Sequence, residues 1–408
     1  LKYFKNTELA RLYNVSEKSV RNWVEATQDG KLSLQLYEEA GRAYVANTSK
    51  NTLLIETLAE KGKKYRNGRG HKSVIPSRTF YELYDPKQII DIVSNIDVYR
   101  EIPYQYSYFG EGASHWNLYT EKLLQEESPN YLTDILELLE SNAEHIDGLL
   151  STFDRVNVVD LGIGNCLPVR YFLQHLIEKN KLSRYIGIDI SSDMLQIAER
   201  NIRKWFGESV RFEGYVRDLN YDRFEDLIAM DSFGESAETT CNVVLFFGST
   251  IVNMREPNLS LQTIHSSMGK KDLLFFTLKL DSEKSRRYFD FTTAMQTVAD
   301  KFRGKDLLNS LSIKEDFYEL EQFFDEKELV RKTSVRLKVA LSIEFMVGGK
   351  KRVVELNKGD SILLWRARHQ GLLETMQQLD QAGFELLTAT RSKDEEHLLS
   401  ISKLKAKT

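Results

Sequence analysis

The chain has 408 residues, 41% apolar and 28% charged, which fits a globular protein of more than one domain and excludes a disordered or low-complexity chain. Two cysteines, Cys166 and Cys241, are too few for a disulfide framework or a zinc cage. The opening LKYFKNTELA lacks a signal-peptide pattern and no apolar run reaches bilayer length, so the expected location is the cytoplasm, with no membrane partner.

The formal charge of −4 is unevenly divided. Residues 1–75 hold 14 Lys/Arg against 8 Asp/Glu, a balance of +6 that leaves −10 for the rest. Within this basic part, residues 7–26 read as two short helices around a turn at Asn14-Val15-Ser16, with Ser16 as N-cap. Leu9, Ala10 and Leu12 give the first helix its apolar face, and Val20, Trp23 and Val24 give the second its own. The pair resembles the helix-turn-helix of excisionase- and MerR-type domains. That resemblance implies a DNA contact through residues 16–26, with Lys18, Ser19, Arg21, Asn22 and Glu25 facing outward; a helical hairpin packed on another domain is the alternative. Residues 31–45 can form a small wing and Thr52–Ala59 a further helix. The stretch 61–72, KGKKYRNGRGHK, reads as a solvated tether.

From Tyr81 to His145 the pattern is helical and rich in tyrosine, and Leu132–Leu150 is an amphipathic helix leading into a strand. Then strands and helices alternate. Val156–Val159 runs into Asp160, Gly162 and Gly164. Tyr185–Ile188 ends in Asp189, Val210–Val216 precedes Asp218, and Asn242–Phe247 precedes Gly248, Ser249, Thr250 and Asn253; Leu273–Leu278 makes a fifth strand. Such alternation predicts a parallel sheet with its ligand at the carboxyl ends of the strands. Residues 336–347 and 351–365 alternate polar and β-branched residues across Gly348-Gly349 and read as an antiparallel pair. A helix at Leu372–Ala382 and the segment Glu385–Ser402 close the chain.

The turn after the first strand is GIG, with Leu167 where a third glycine would complete a dinucleotide fingerprint. A pyrophosphate site is therefore disfavoured. S-adenosylmethionine needs space for its methionine part beside Gly162 and Gly164, an acid for the ribose diol at Asp189, and an acceptor for the adenine amino group at Asp218. These residues supply all three.

VVDLGIGN, YIGIDISSDML, VRDLNYD and above all LFFGSTIVNM resemble the histidine Nα-methyltransferase family of ergothioneine biosynthesis, with the blocks in the same order from about Tyr104 to Ser402. The resemblance implies an α/β fold: a Rossmann-like methyltransferase sheet with an inserted β-rich substrate lobe, beside the small N-terminal helix-turn-helix domain. It implies S-adenosylmethionine as cofactor, held by Asp160, Gly162, Gly164, Asp189, Asp218, Phe247, Gly248 and Ser249. It further implies an acceptor pocket of Tyr108, Tyr131, Asn253 and Tyr288, with Asn253 and Tyr288 nearest the chemistry. The expected divisions are 1–60, a linker 61–80, a core 81–280, a lobe 281–370 and a return to the core 371–408. The family's ExSxKY-like strand, whose acid and serine hold the substrate amine, is matched here by LLWRARH, residues 363–369. Either Arg366, Arg368 or His369 favours an anionic acceptor, or the strand faces solvent. His115, His265 and His369 lack ligand spacing, and no metal is expected.

The expected activity is methyl transfer to a small-molecule amine or amino-acid-like nitrogen. The competing expectations are a nucleic-acid methyltransferase, disfavoured because no Pro-Pro loop follows the fourth strand, and a DNA-binding regulator that senses S-adenosylmethionine.

Overall fold

The computed structural model describes residues 3–13, 15–39, 41–68, 71–126, 130–229, 239–248, 250–287 and 304–406. Its centre is a seven-stranded sheet: β1 (Arg155–Leu161), β2 (Leu182–Asp189), β3 (Phe212–Val216), β4 (Thr240–Phe246), β5 (Leu273–Lys279), β6 (Phe384–Arg391) and β7 (His397–Leu404). The spatial order is β3-β2-β1-β4-β5-β7-β6. The first five strands are parallel, and the closing segment becomes a hairpin whose β7 runs antiparallel beside β5.

The apolar runs become buried strands because both faces of the sheet are covered. Successive residues serve opposite layers. Val158 packs with the helices Tyr131–Ser141 and Arg170–Glu178, whereas Val159 packs with Pro257–Ser267 and Leu372–Gln381. Helix Ser192–Phe206 begins on Ser191, whose hydroxyl accepts from Met194 N at 3.2 Å, and it buries Met194, Leu195, Ile197, Ala198 and Ile202.

The lobe is built differently from the expected pair of strands. It has five: Val330–Leu337 pairs with Ser361–Arg368 and with Tyr318–Asp325, while Leu341–Val347 and Lys350–Leu356 form a separate hairpin. The hairpin turns at Gly348 (φ 56°) and Gly349 (φ 75°), and a second turn at Gly359 (φ 92°) returns the chain to the first sheet. The lobe core also takes in residues well before 281. Phe80, Ile89, Ile92, Ile96, Tyr106 and Phe109 pack with Leu307, Ile343, Phe345 and Ile362.

The stretch read as a tether is ordered into elements at both ends. Helix Ser49–Gly68 runs through its first half, and Lys72–Val74 pairs in parallel with Leu341–Ile343. The N-terminal part folds around its own cluster of Leu9, Val15, Val20, Val24, Leu34, Val45, Ile55 and Ala59. Helices Asn6–Leu12 and Glu17–Gln28 precede a hairpin, Leu36–Glu39 with Arg42–Ala46, and Ser16 caps the second helix by accepting from Ser19 N at 3.1 Å. Lys18, Arg21, Asn22 and Glu25 are exposed and Ser19 is half-buried; Asn14 lies outside the described residues. Among the described residues no helix is long and apolar enough to cross a membrane.

Candidate functional site

At the carboxyl ends of β1 to β4 lies a cleft of about 640 Å³. Its floor comes from the turn after β1. Gly162 (φ 68°) and Gly164 (φ 56°) both adopt the left-handed conformation that favours glycine, so the chain can double back and leave backbone facing the cleft. A third glycine packs below them: a Cβ on Gly187 of β2 would lie 2.3 Å from Ile163 Cδ1, so a larger residue there would force the Ile163 side chain to move.

Asp189 ends β2 and lines the cleft. Its Oδ1 accepts from Ser191 N at 2.9 Å; burial pushes its pKa up to about 6, opposed by bonds from the backbones of Ser191, Gly164 and Ile190. Arg217 N donates to Asp189 O at 3.0 Å, which brings Asp218 to the same edge. Burial also raises the Asp218 pKa, opposed by bonds from Asn220 N (2.9 Å) and Nδ2 (2.8 Å) to its Oδ1. Two acids above two left-handed glycines fit a nucleoside-bearing cofactor: Asp189 could accept from a ribose diol and Asp218 from an exocyclic amine.

The roof comes from the tyrosine-rich stretch. A 3-10 turn, Tyr104–Tyr108, and helix Glu111–Leu123 place Tyr104, Gln105, Tyr108 and Trp116 on the cleft, with Tyr108 and Trp116 edge to face at 5.5 Å. Three bonds fasten it. Ser191 Oγ donates to Tyr108 O at 2.6 Å, Gly110 N to Asp193 Oδ2 at 2.7 Å, and Tyr104 hydroxyl to Thr250 O at 3.4 Å. Asn165 Nδ2 donates to Thr120 Oγ1 at 2.6 Å, which ties the glycine turn to the roof helix.

The cleft therefore brings together Gly162, Gly164, Asp189, Asp218 and Tyr108 from the sequence reading. Asp160 stands elsewhere. It is buried beneath the turn and accepts from Tyr185 hydroxyl at 2.8 Å, and burial raises its pKa to about 7. Phe247 is a core side chain, and Gly248 (φ 78°) donates its N–H to Thr277 Oγ1 at 3.1 Å. Tyr131 packs on Tyr119, Leu123, Leu132 and Leu167, away from the cleft lining. Asn253 is half-buried at the end of helix Thr250–Asn253, which packs on the lobe strand Ser361–Arg368. Ser249 and Tyr288 lie outside the described residues. Thr250, read at the end of the fourth strand, also lines the cleft, whereas sequence reasoning missed Tyr104, Trp116, Met194, Arg217, Asn220 and Met254 as cleft residues. Only the first two carried a signal, as aromatics in a stretch already noted.

Of the three side chains singled out in residues 363–369, Arg366 and His369 are engaged. Arg366 Nη2 bonds Glu101 Oε2, and His369 Nδ1 lies 3.3 Å from Asp281 Oδ1, the carboxylate that also takes both Arg286 contacts. Burial, helped by Arg331, lowers the His369 pKa to about 4, so its imidazole is neutral near pH 7.

A parallel sheet in the order 3-2-1-4-5 with an antiparallel edge hairpin, a glycine turn after its first strand and an acid ending its second, is the fold of an S-adenosylmethionine-dependent methyltransferase. The model of the histidine-specific, S-adenosylmethionine-dependent methyltransferases matches residues 87–404, and the chain belongs to that family. Solved structures are similar at low identity. An S-adenosylmethionine-dependent methyltransferase from Clostridium acetobutylicum ATCC 824 is 12% identical, over 72% of this chain and 99% of that one, with a TM-score of 0.36. The 1,6-didemethyltoxoflavin-N1-methyltransferase of Burkholderia thailandensis is 12% identical, over 79% of this chain and 92% of that one (TM-score 0.37). Human N-acetylserotonin methyltransferase is 10% identical, over 99% and 88% (TM-score 0.36). No curated protein matches the chain. Nothing in these comparisons supports a DNA-binding regulator that senses S-adenosylmethionine.

Proposed function

We propose that this methyltransferase acts on a nitrogen of a small amine or amino-acid-like acceptor, held in a site altered from that of its family. The observation that supports the reading is the packing of helix Thr250–Asn253, which follows β4 and ends on a half-buried asparagine, on the lobe strand Ser361–Arg368. The alteration rests on residues 363–369, which contain neither acid nor serine and whose Arg366 and His369 are paired within the protein.

S-adenosylmethionine supplies an activated methyl group on a sulfonium. The chain's part is to bind, orient and exclude water. Gly162 and Gly164 leave room beside the backbone, Asp189 accepts from the ribose hydroxyls, and Asp218 with Asn220 borders the base. Tyr104, Tyr108 and Trp116 cover the cleft. The acceptor nitrogen must present a deprotonated lone pair in line with the methyl–sulfur bond, and Asn253 can orient it through its amide. Asn253→Ala is expected to lower turnover by roughly 10²-fold, the order lost when a positioned group goes, with little change in cofactor affinity. The check is a mass-spectrometric screen for metabolites that gain multiples of a methylene mass with protein and donor present. An unchanged rate in the variant on the acceptor so found would remove Asn253 from the site.

Residues 1–68 form the part least coupled to this chemistry. Their removal, stopping short of the Lys72–Val74 strand, is expected to leave cofactor binding intact by calorimetry. Loss of binding with the fold preserved would show that the N-terminal part belongs to the site. A DNA contact through residues 16–26 is a second proposal, motivated by the exposed Lys18, Arg21 and Asn22 on a capped helix beside a hairpin. In gel-shift titrations the full chain would retard duplex DNA and the truncated chain would not.

A further inference from the structure

Away from the cleft lining, three ligand-type side chains converge where the first turns of helix Tyr131–Ser141 meet the β6–β7 turn. Asp134, Asp394 and His397 each offer one atom, and these lie within 4.8 Å of one another. Asp134 is 5% exposed and His397 4%, while Asp394 is half-buried and gives the cluster an outlet to solvent. His397 Nδ1 sits 2.5 Å from Asp134 Oδ2, yet neither ring nitrogen of this buried histidine has a hydrogen-bond partner. Buried imidazoles normally satisfy their nitrogens, so this one is aimed at carboxylates without the alignment of a hydrogen bond.

The surroundings hold the three in place. Asp394 Oδ1 accepts from Ser392 Oγ at 2.7 Å and from Glu396 N at 3.0 Å, and Ser392 Oγ accepts from His397 N at 3.0 Å.

We propose that Asp134, Asp394 and His397 bind a divalent transition metal of the Zn²⁺ class. One imidazole nitrogen and two carboxylate oxygens form the mixed donor set that borderline cations take, with water completing the coordination from the Asp394 side. The ion would join helix Tyr131–Ser141 to the start of β7, which pairs at His397 with Lys279 of β5. From there the effect reaches the acceptor side: Leu280 N donates to Glu396 O at 2.8 Å, and Ser282 Oγ to Glu396 Oε1 at 2.7 Å, at the entry to the segment that carries Asp281. None of the three ligands lines the cleft, so the ion braces the fold and takes no part in methyl transfer. Sequence spacing could not reveal the set, because Asp134 comes from a helix some 260 residues before the other two.

The test uses the full chain stripped with chelator and titrated with Zn²⁺ alone by calorimetry, with Co²⁺ absorption as a second readout. The wild type should take up one equivalent, show Co²⁺ d–d bands and melt at a higher temperature with metal. Asp394→Asn, at a half-buried turn position that preserves the fold, should bind more weakly by at least the roughly 10–100-fold that loss of even an outer partner costs, and should lose the thermal shift. His397→Ala should abolish the bands. The proposal is overturned if the wild type shows no saturable uptake, or if Asp394→Asn binds with unchanged affinity and stoichiometry.

Discussion

Replacing Asp189 with alanine should weaken S-adenosylmethionine binding on the order of 100-fold. The carboxylate stands at the end of β2, in the cleft, with one oxygen engaged by Ser191 N at 2.9 Å. A ribose diol can offer it two further donors. Hydrogen bonds to a charged group contribute about 1.5–3 kcal/mol each, and tenfold in affinity corresponds to about 1.4 kcal/mol, so two lost bonds reach or exceed this figure. The pH dependence identifies the residue. Burial places its pKa at about 6, above the ordinary carboxylate value. In the free chain it is therefore ionised above about pH 6 and protonated progressively below. The ionised form is the better acceptor, so affinity should be highest above that value and fall as the pH drops through it. Asp189→Asn keeps the shape and one carbonyl acceptor but cannot titrate; its binding should be weaker and flatter with pH. Calorimetry across pH 5–8 on the three proteins is the measurement. Equal affinities would remove Asp189 from the cofactor site, and a melting curve on each variant separates lost contacts from a disturbed β2–Ser191 turn.

What the sequence could and could not disclose follows from the range of the interactions involved. Strands buried on both faces announce themselves as apolar runs, and the acid or glycine ending each run is local, so Gly162, Gly164, Asp189 and Asp218 could be placed on one edge before any coordinates. Asp160 carries the same local signature but has a different task. Its partner, Tyr185, lies across the pairing of β1 and β2, and only that pairing turns a candidate cofactor ligand into a buried support for the glycine turn. The three-residue strand Lys72–Val74 has no period to read, and its partner lies some 270 residues away, which is why a tether was expected there. The lobe strands run together in the sequence because the breaks between them depend on turns whose effect on pairing is not local. Trp116 reaches the cleft because the Asn165 and Ser191 bonds pull the roof down, and aromatic content alone does not separate such a residue from a core one.

Breaking the Glu101–Arg366 pair should destabilise the lobe by about 3–5 kcal/mol, the cost of leaving one member of a buried ion pair alone. The side chains are 11% and 16% exposed, and the backbone around them is zipped together: Ile102 N donates to Leu363 O at 2.9 Å, and Leu363 N to Arg100 O at 2.8 Å. The pair thus clamps the chain just before Tyr104–Tyr108 onto the lobe strand, linking lobe stability to the roof of the cleft. Glu101→Gln and Arg366→Met should each lower the lobe's unfolding midpoint in denaturant and raise the Michaelis constant for the acceptor. The double variant Glu101→Leu/Arg366→Met should recover most of the stability, since apolar groups of similar size commonly replace a buried pair at little cost. Kinetics on that double variant decide what Arg366 is for. If its charge is structural, acceptor binding returns with the fold. If Arg366 instead holds an anionic group of the acceptor, the double variant will be stable and still bind acceptor poorly, and the substrate class would then be an acid.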